Sequence, residues 1–211
     1  MSDIHLYWFW STNPQKVRFA LEEMKLSYTL HKIDLGKKEN LSSEYLSINP
    51  KGQVPALSID GQLITESNAI LLSLAMRFHR LWPSSPQEQS KAMELLFFES
   101  STFSSLAGTH YSNLVIRPLI GAKPNKPAVL KAKSKLVPIL DRFEEHFKKG
   151  HTYLTSTFSI VDCAYGVWLP HICLDAHPNV RAWRDRLMNK EGWNKAELRQ
   201  TITKQLPMEE R

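Results

Sequence analysis

Every strand-forming run in this 211-residue chain falls before residue 66. "IHLYWFW" (Ile4 to Trp10), "YTLHKI" (Tyr28 to Ile33), "VPALSI" and "QLIT" are rich in β-branched and aromatic residues and read as strands. Asn13-Pro14 signals a helix start, with Asn at the N-cap and Pro at the first helical position. Val17, Ala20, Leu21 and Met24 then recur at helical spacing. The first unit is therefore β-α-β, and such a crossover gives parallel strands. "SSEYLS" reads as a short helix. Asp60-Gly61 joins the last two strands as a hairpin, and an apolar helix follows, closing near His79 or Arg80.

Beyond this point the pattern is helical. "RLWPSSPQEQS", with two prolines and several serines, reads as a linker. "KAMELLFFESSTFSSL", "PAVLKAKSKLVPILDRFEEHFKK", "IVDCAYGVWLPHIC" and "NVRAWRDRLM" follow, and Pro138 is expected to kink or break the second of them. The expected organisation is an α/β domain over residues 1–80, a linker over 81–88 and an all-helical domain over 89–211.

Composition narrows the function classes. No apolar run reaches the roughly 18–20 residues of a membrane helix. The N-terminus carries an acidic residue and no basic n-region, so a cytoplasmic protein without a membrane partner is expected. The net charge of +6 is diffuse: residues 1–80 carry 9 basic and 8 acidic residues, and residues 81–211 carry 18 and 13. No motif for nucleic acid accompanies it, and a mildly positive surface suits a small anionic ligand. Cys163 and Cys173 form no C-x-x-C pair, and with His171 and His177 they match no zinc spacing, so neither a disulfide framework nor a metal is expected.

"NPKGQVPALSIDGQLITESNAIL" followed by helices resembles the cytosolic glutathione transferase superfamily, and the β-α-β-β-α order with Val54-Pro55 before the hairpin resembles a thioredoxin-like fold. "WSTNPQKVRFALEEM" is similar to the family's first loop and helix. "FSIVDCAYGVWLP" and "HPNVRAWRDRL" are similar to later segments of its helical domain. The resemblance covers most of residues 4–190. Ser11 falls where theta- and phi-like members place an active serine, while Ser11, Asn13 and Lys16 also resemble the threonine-asparagine loop of nu-like bacterial members.

The resemblance implies glutathione as co-substrate, a homodimer, and a cis Val54-Pro55 bond. A cis bond there exposes the backbone of Val54 to an extended peptide. Ser67 suits the N-cap of the helix after the hairpin, and a helix N-terminus attracts a carboxylate. Glu66 can accept from the ligand's ammonium. Together they read the zwitterionic γ-glutamyl head. Gln53, with Lys37 or Lys38 as weaker candidates, can meet the glycine carboxylate.

A free thiol titrates near ~8.5, and lowering it by one to two units takes roughly 1.4–2.8 kcal/mol. One hydrogen bond to a charged group supplies about 1.5–3 kcal/mol. Ser11 is the leading donor to the thiolate. Asn13 is either a second donor or simply the helix cap. Tyr7, inside "HLYWFW", reads as core. His110, Tyr111 and Arg117 are candidates for an electrophile pocket. Ser159 and Asp162 fit a capping box, with Phe158 as a staple to Cys163.

Three functions fit this reading. The first is conjugation of glutathione to a hydrophobic electrophile. The second is reduction of a disulfide or peroxide, as in nu-like relatives. The third is a non-catalytic binding protein built on the same scaffold.

Overall fold

β1 (Ile4–Trp8) buries Ile4, Leu6 and Trp8 on one face and turns His5 and Tyr7 to the other. This alternation makes β1 the centre of a four-stranded sheet in the order β2-β1-β3-β4. β2 (Thr29–Lys32) pairs parallel to β1, with Leu6 opposite Leu30. β3 (Ala56–Ile59) pairs antiparallel to β1, and β4 (Gln62–Thr65) antiparallel to β3. The structure is a computed structural model that describes residues 2–119 and 121–198. The end of the expected helical domain, residues 199–211, lies outside them.

α1 (Thr12–Glu23) and α3 (Ser67–Phe78) bury Val17, Phe19, Ala20, Leu21, Ile70, Leu71 and Leu74 in one continuous core. The short α2 (Ser43–Ile48) carries Tyr45, whose ring lies 6.1 Å from that of Tyr7. Tyr7 stacks on His31 at 4.7 Å, on the face of the sheet away from the Leu6 core. The N-terminal part is thus a thioredoxin-like unit.

The remainder is helical. α4 (Pro86–Phe98), a π turn (Glu99–Phe103), α5 (Ser104–Tyr111), a second π turn (Ser112–Ile116) and α6 (Arg117–Leu119) succeed one another without a break. The π turns let Ala92, Leu96, Glu99, Phe103, Ala107 and Tyr111 all reach the interior. α7 (Lys126–Lys148) packs against α5 and α9. Of the kink or break that the sequence suggested at Pro138, the break does not occur: Pro138 lies inside α7. A helix-interior proline costs about 3 kcal/mol. Buried Leu136, Ile139, Leu140, Phe143 and Phe147 each return roughly 1.5–3 kcal/mol, which outweighs it.

α8 (Ile160–Gly166) is shorter than expected; the chain passes into a 3₁₀ turn (Leu169–His171), because Pro170 cannot continue the helix ladder. α9 (Pro178–Met188) and α10 (Glu191–Lys195) complete the described chain. α1 touches α3, α8 and α10, so it lies between the sheet and the helical part.

Asp162 joins three segments near the start of α8. Its Oδ2 accepts from the Ser159 N–H at 3.0 Å, and its Oδ1 from the Leu154 N–H at 3.2 Å and Trp183 Nε1–H at 3.0 Å. Ser159 Oγ accepts from the Val161 N–H, and a capping box is present. Phe158 packs its ring on Phe19 and Tyr153. Full burial pushes the Asp162 carboxyl up to about 6 against those hydrogen bonds. Each buried donor left unpaired costs about 1–3 kcal/mol. Asp162→Ala should therefore lower unfolding free energy by at least ~3 kcal/mol in urea titration. The folded value lies above the unfolded one, near ~3.9. Hence stability falls as pH rises from about 4 to about 6, and Asp162→Asn should flatten that slope.

Candidate active site

The turn before β3 and the turn after β4 face the start of α1 across a small cleft. Asn13, Asn49, Lys51, Gln53, Val54, Pro55, Thr65, Glu66 and Ser67 line it, and its volume is about 50 Å³. That volume suits one small charged head group, with any longer ligand running out over the surface. The Val54–Pro55 peptide is cis. The Gln53 carbonyl behind it is held by Tyr45 Oη–H at 2.7 Å and Asn49 Nδ2–H at 2.7 Å.

The helix starts differ from the sequence expectation by one or two residues. Ser11, not Asn13, is the N-cap of α1, in extended conformation, and its hydroxyl caps no helical N–H. Asn13 is the second helical residue, exposed to the cleft. Pro14 then falls third, still within the first turn, where a missing N–H breaks no helical bond. At α3, Glu66 occupies the cap position and Ser67 is the first helical residue. A single residue turns the chain from β4 into α3, and Glu66 does so at φ 69° and ψ 117°.

Neither α1 nor α3 has a side-chain cap or an acidic residue in its first turn. By contrast, Ser42, Ser85, Asn125 and Ser159 cap α2, α4, α7 and α8. Both partial positive ends therefore stay open toward the cleft. The sequence reading missed Lys51. Its Nζ lies 2.7 Å from Glu66 Oε1 in an exposed ion pair. Lys37 and Lys38 do not line the cleft; Lys51 does. Proximity to the hairpin in "NPKGQVP" was the available signal.

Two family models match the chain: Glutathione S-transferase, N-terminal domain, over residues 2–75, and Glutathione S-transferase, C-terminal domain, over residues 108–191. The chain belongs to the cytosolic glutathione S-transferase superfamily. Glutathione S-transferase 3 of Zea mays is 26% identical over 197 residues, covering 88% of each chain. A structure of glutathione S-transferase-I bound with lactoylglutathione has a TM-score of 0.83 at 26% identity, covering 93% of this chain and 99% of the other. A structure of a possible glutathione S-transferase from Rhodopseudomonas palustris has a TM-score of 0.78 at 28% identity, covering 90% and 87%.

The helical-domain candidates His110, Tyr111 and Arg117 do not line the cleft of Asn13, Val54 and Glu66. His110 is buried, and burial with nearby Lys133 pushes its imidazole below the usual range. Tyr111 meets His171 edge-on at 4.5 Å, and burial raises its phenol to about 12. Arg117 Nε donates to the Lys123 carbonyl at 2.7 Å. A larger apolar cleft of about 340 Å³ lies between α3 and α4 and shares Glu66 and Ser67 with the first. Cys163 is buried, and burial raises its thiol well above the usual range. Among the described residues, no group of three or more His, Cys, Asp or Glu could hold a metal ion, and no helix is long and apolar enough to cross a membrane.

Positive φ at a non-glycine residue stores about 1–3 kcal/mol. The exposed Lys51 pair contributes roughly 0–1 kcal/mol. Glu66→Gly should therefore leave unfolding free energy unchanged or raise it by about 1 kcal/mol in urea titration. A fall of several kcal/mol would show that Glu66 is not strained.

Proposed function

We propose that the protein is a glutathione transferase that binds glutathione in the Asn13–Val54–Glu66 cleft, stabilises its thiolate and conjugates it to a hydrophobic electrophile. The observation that carries this reading is the convergence of two uncapped helix ends on one cleft beside Val54-Pro55, in a chain of this family. The lactoylglutathione held by the relative at 26% identity supports the ligand class.

The γ-glutamyl carboxylate sits at the N–H groups of α3 with the Ser67 hydroxyl. The ammonium takes Glu66, displacing Lys51 Nζ, which is then free for a ligand carboxylate along with Gln53. The Val54 backbone pairs with the peptide. The thiol gives its proton to solvent. A hydroxyl–sulfur bond from Ser11 and the end of α1 hold the anion. The sulfur then forms a bond to the electrophilic carbon, and the leaving group departs with its electron pair. Exposed Met76, Met93 and Phe97 on α3 and α4 support a homodimer through that face.

One observation favours reduction of a disulfide or peroxide instead: Asn13 lines the cleft and Ser11 does not. Asn13 is the amide that the resemblance to nu-like members singles out. Calorimetry with glutathione, then turnover of a chloronitroaromatic and of a small disulfide, separates the readings in wild type, Ser11→Ala and Asn13→Ala. Glutathione should bind, and Ser11→Ala should slow conjugation about 10–100-fold, the loss of one charged hydrogen bond. Absence of glutathione binding would sink both enzyme readings. Disulfide turnover that depends on Asn13, without conjugation, would replace the first reading by the second.

A further inference from the structure

Lys16 and Glu99 form an ion pair at 2.8 Å with side chains 1% and 0% exposed. Glu99 Oε1 also accepts from Trp168 Nε1–H at 2.9 Å. Its Oε2 accepts from Asn68 Nδ2 at 2.8 Å, and the same amide donates to the Leu96 carbonyl at 2.8 Å. Lys16 Nζ lies 5.5 Å from the centroid of the Trp168 ring. Four segments meet at this one carboxylate: α1, α3, the π turn after α4 and the stretch after α8. Lys16 is about one helical turn beyond Ser11 and Thr12. Asn68 directly follows Ser67. Glu99 begins the π turn, and π turns recur at functional positions in helices.

We propose that the Lys16–Glu99 pair is a positioning device: it fixes the spacing of the α1 and α3 N-termini, so that one glutathione meets the thiolate donor and the γ-glutamyl clamp together. The inference rests on the glutathione reading above. Its physical basis is directionality. An apolar contact of equal volume would hold the segments together as firmly, because a buried ion pair carries a large desolvation cost. It would not fix their register. A carboxylate shared by donors from α1, α3 and Trp168 at 2.8–2.9 Å does. Lys16 and Glu99 line no cleft with Asn13, so they act through the helix ends and touch no reacting atom.

The test compares wild type with Lys16→Arg, Asn68→Ala and the double variant Lys16→Met/Glu99→Gln. The double variant removes both charges together and leaves an amide oxygen to accept from Trp168 or Asn68. The readouts are KM for glutathione, KM for the electrophile, kcat, and the pH midpoint of bound thiolate followed by its ultraviolet absorbance. In the double variant, KM for glutathione should rise about tenfold and the thiolate midpoint should move up about one unit, with KM for the electrophile unchanged. Lys16→Arg should keep most of the wild-type midpoint. A folded double variant with wild-type KM and midpoint overturns the proposal. Should the double variant fail to fold, Asn68→Ala decides: it spares the ion pair but cuts the link to α3, and unchanged values there overturn the proposal equally. Wild-type protein that binds no glutathione overturns the function reading and this one with it.

Discussion

The contact on which the arrangement depends is the one between Lys16 and Glu99. α1 is buried on nearly every side, because it shares one core with β1 and β3 and packs against α3, α8 and α10. Between Asn13 at its start and Glu22 at its end, the polar residues of α1 have no solvent face. Lys16 finds Glu99, and Arg18 stacks over Trp8 with its guanidinium carbon 4.3 Å from the ring centroid. The Lys16 charge is tolerated because its partner is a carboxylate already bonded to two other donors, whereas Arg18 has an aromatic face but leaves its Nε and Nη1 without a hydrogen-bond partner among the described residues. Further along the same helix, Glu23 accepts from the Gly192 N–H at 2.7 Å and pairs with Lys190 at 3.1 Å. α1 is thus fastened to the helical part at both ends, and its N-terminus has a fixed place over the hairpin.

The fold was legible where the sequence carried period and punctuation. The β-branched runs, the Asp60-Gly61 hairpin and the Ser159-x-x-Asp162 box each encode a local geometry that tertiary packing did not override. Legibility failed where packing outweighed local preference. Pro138 signals a kink or a break, yet the five large apolar side chains around it keep α7 unbroken through that point. The periodicity of α1 marked one apolar face, Val17, Ala20, Leu21 and Met24, a set that does not include Lys16 or Arg18. Both are buried, because burial of α1 is set by the helices that come more than a hundred residues later.

The candidate site shows the same division. Gln53, Val54, Pro55, Glu66 and Ser67 are near one another in the chain, and they line one cleft with Asn13. Lys51 was overlooked because proximity to the hairpin is a weak signal, which the 2.7 Å contact with Glu66 makes specific. Asn68 and Glu99 were invisible for a deeper reason. Nothing local marks a glutamate inside "FFESS" as buried. The π turn that carries it inward is a product of packing against α1 and Trp168.

Two helix starts near the cleft lack the side-chain cap that α2, α4 and α8 have. Ser42, Ser85 and Ser159 sit at the N-caps of their helices and bond helical N–H groups. Ser11 sits at such a position and leaves its hydroxyl unused, while Ser67 stands one residue past the cap, behind a glutamate at positive φ. Each departure forgoes about 1 kcal/mol of capping, and the Glu66 backbone adds its own strain. Departures from local consistency concentrate where function requires them. On the proposed function, an anion completes each of these caps when it binds. A peptide with a carboxylate at its head and a thiolate further along presents two such anions, one for each helix end. The rigid joint at Lys16 and Glu99 is what makes a fixed separation between those ends meaningful.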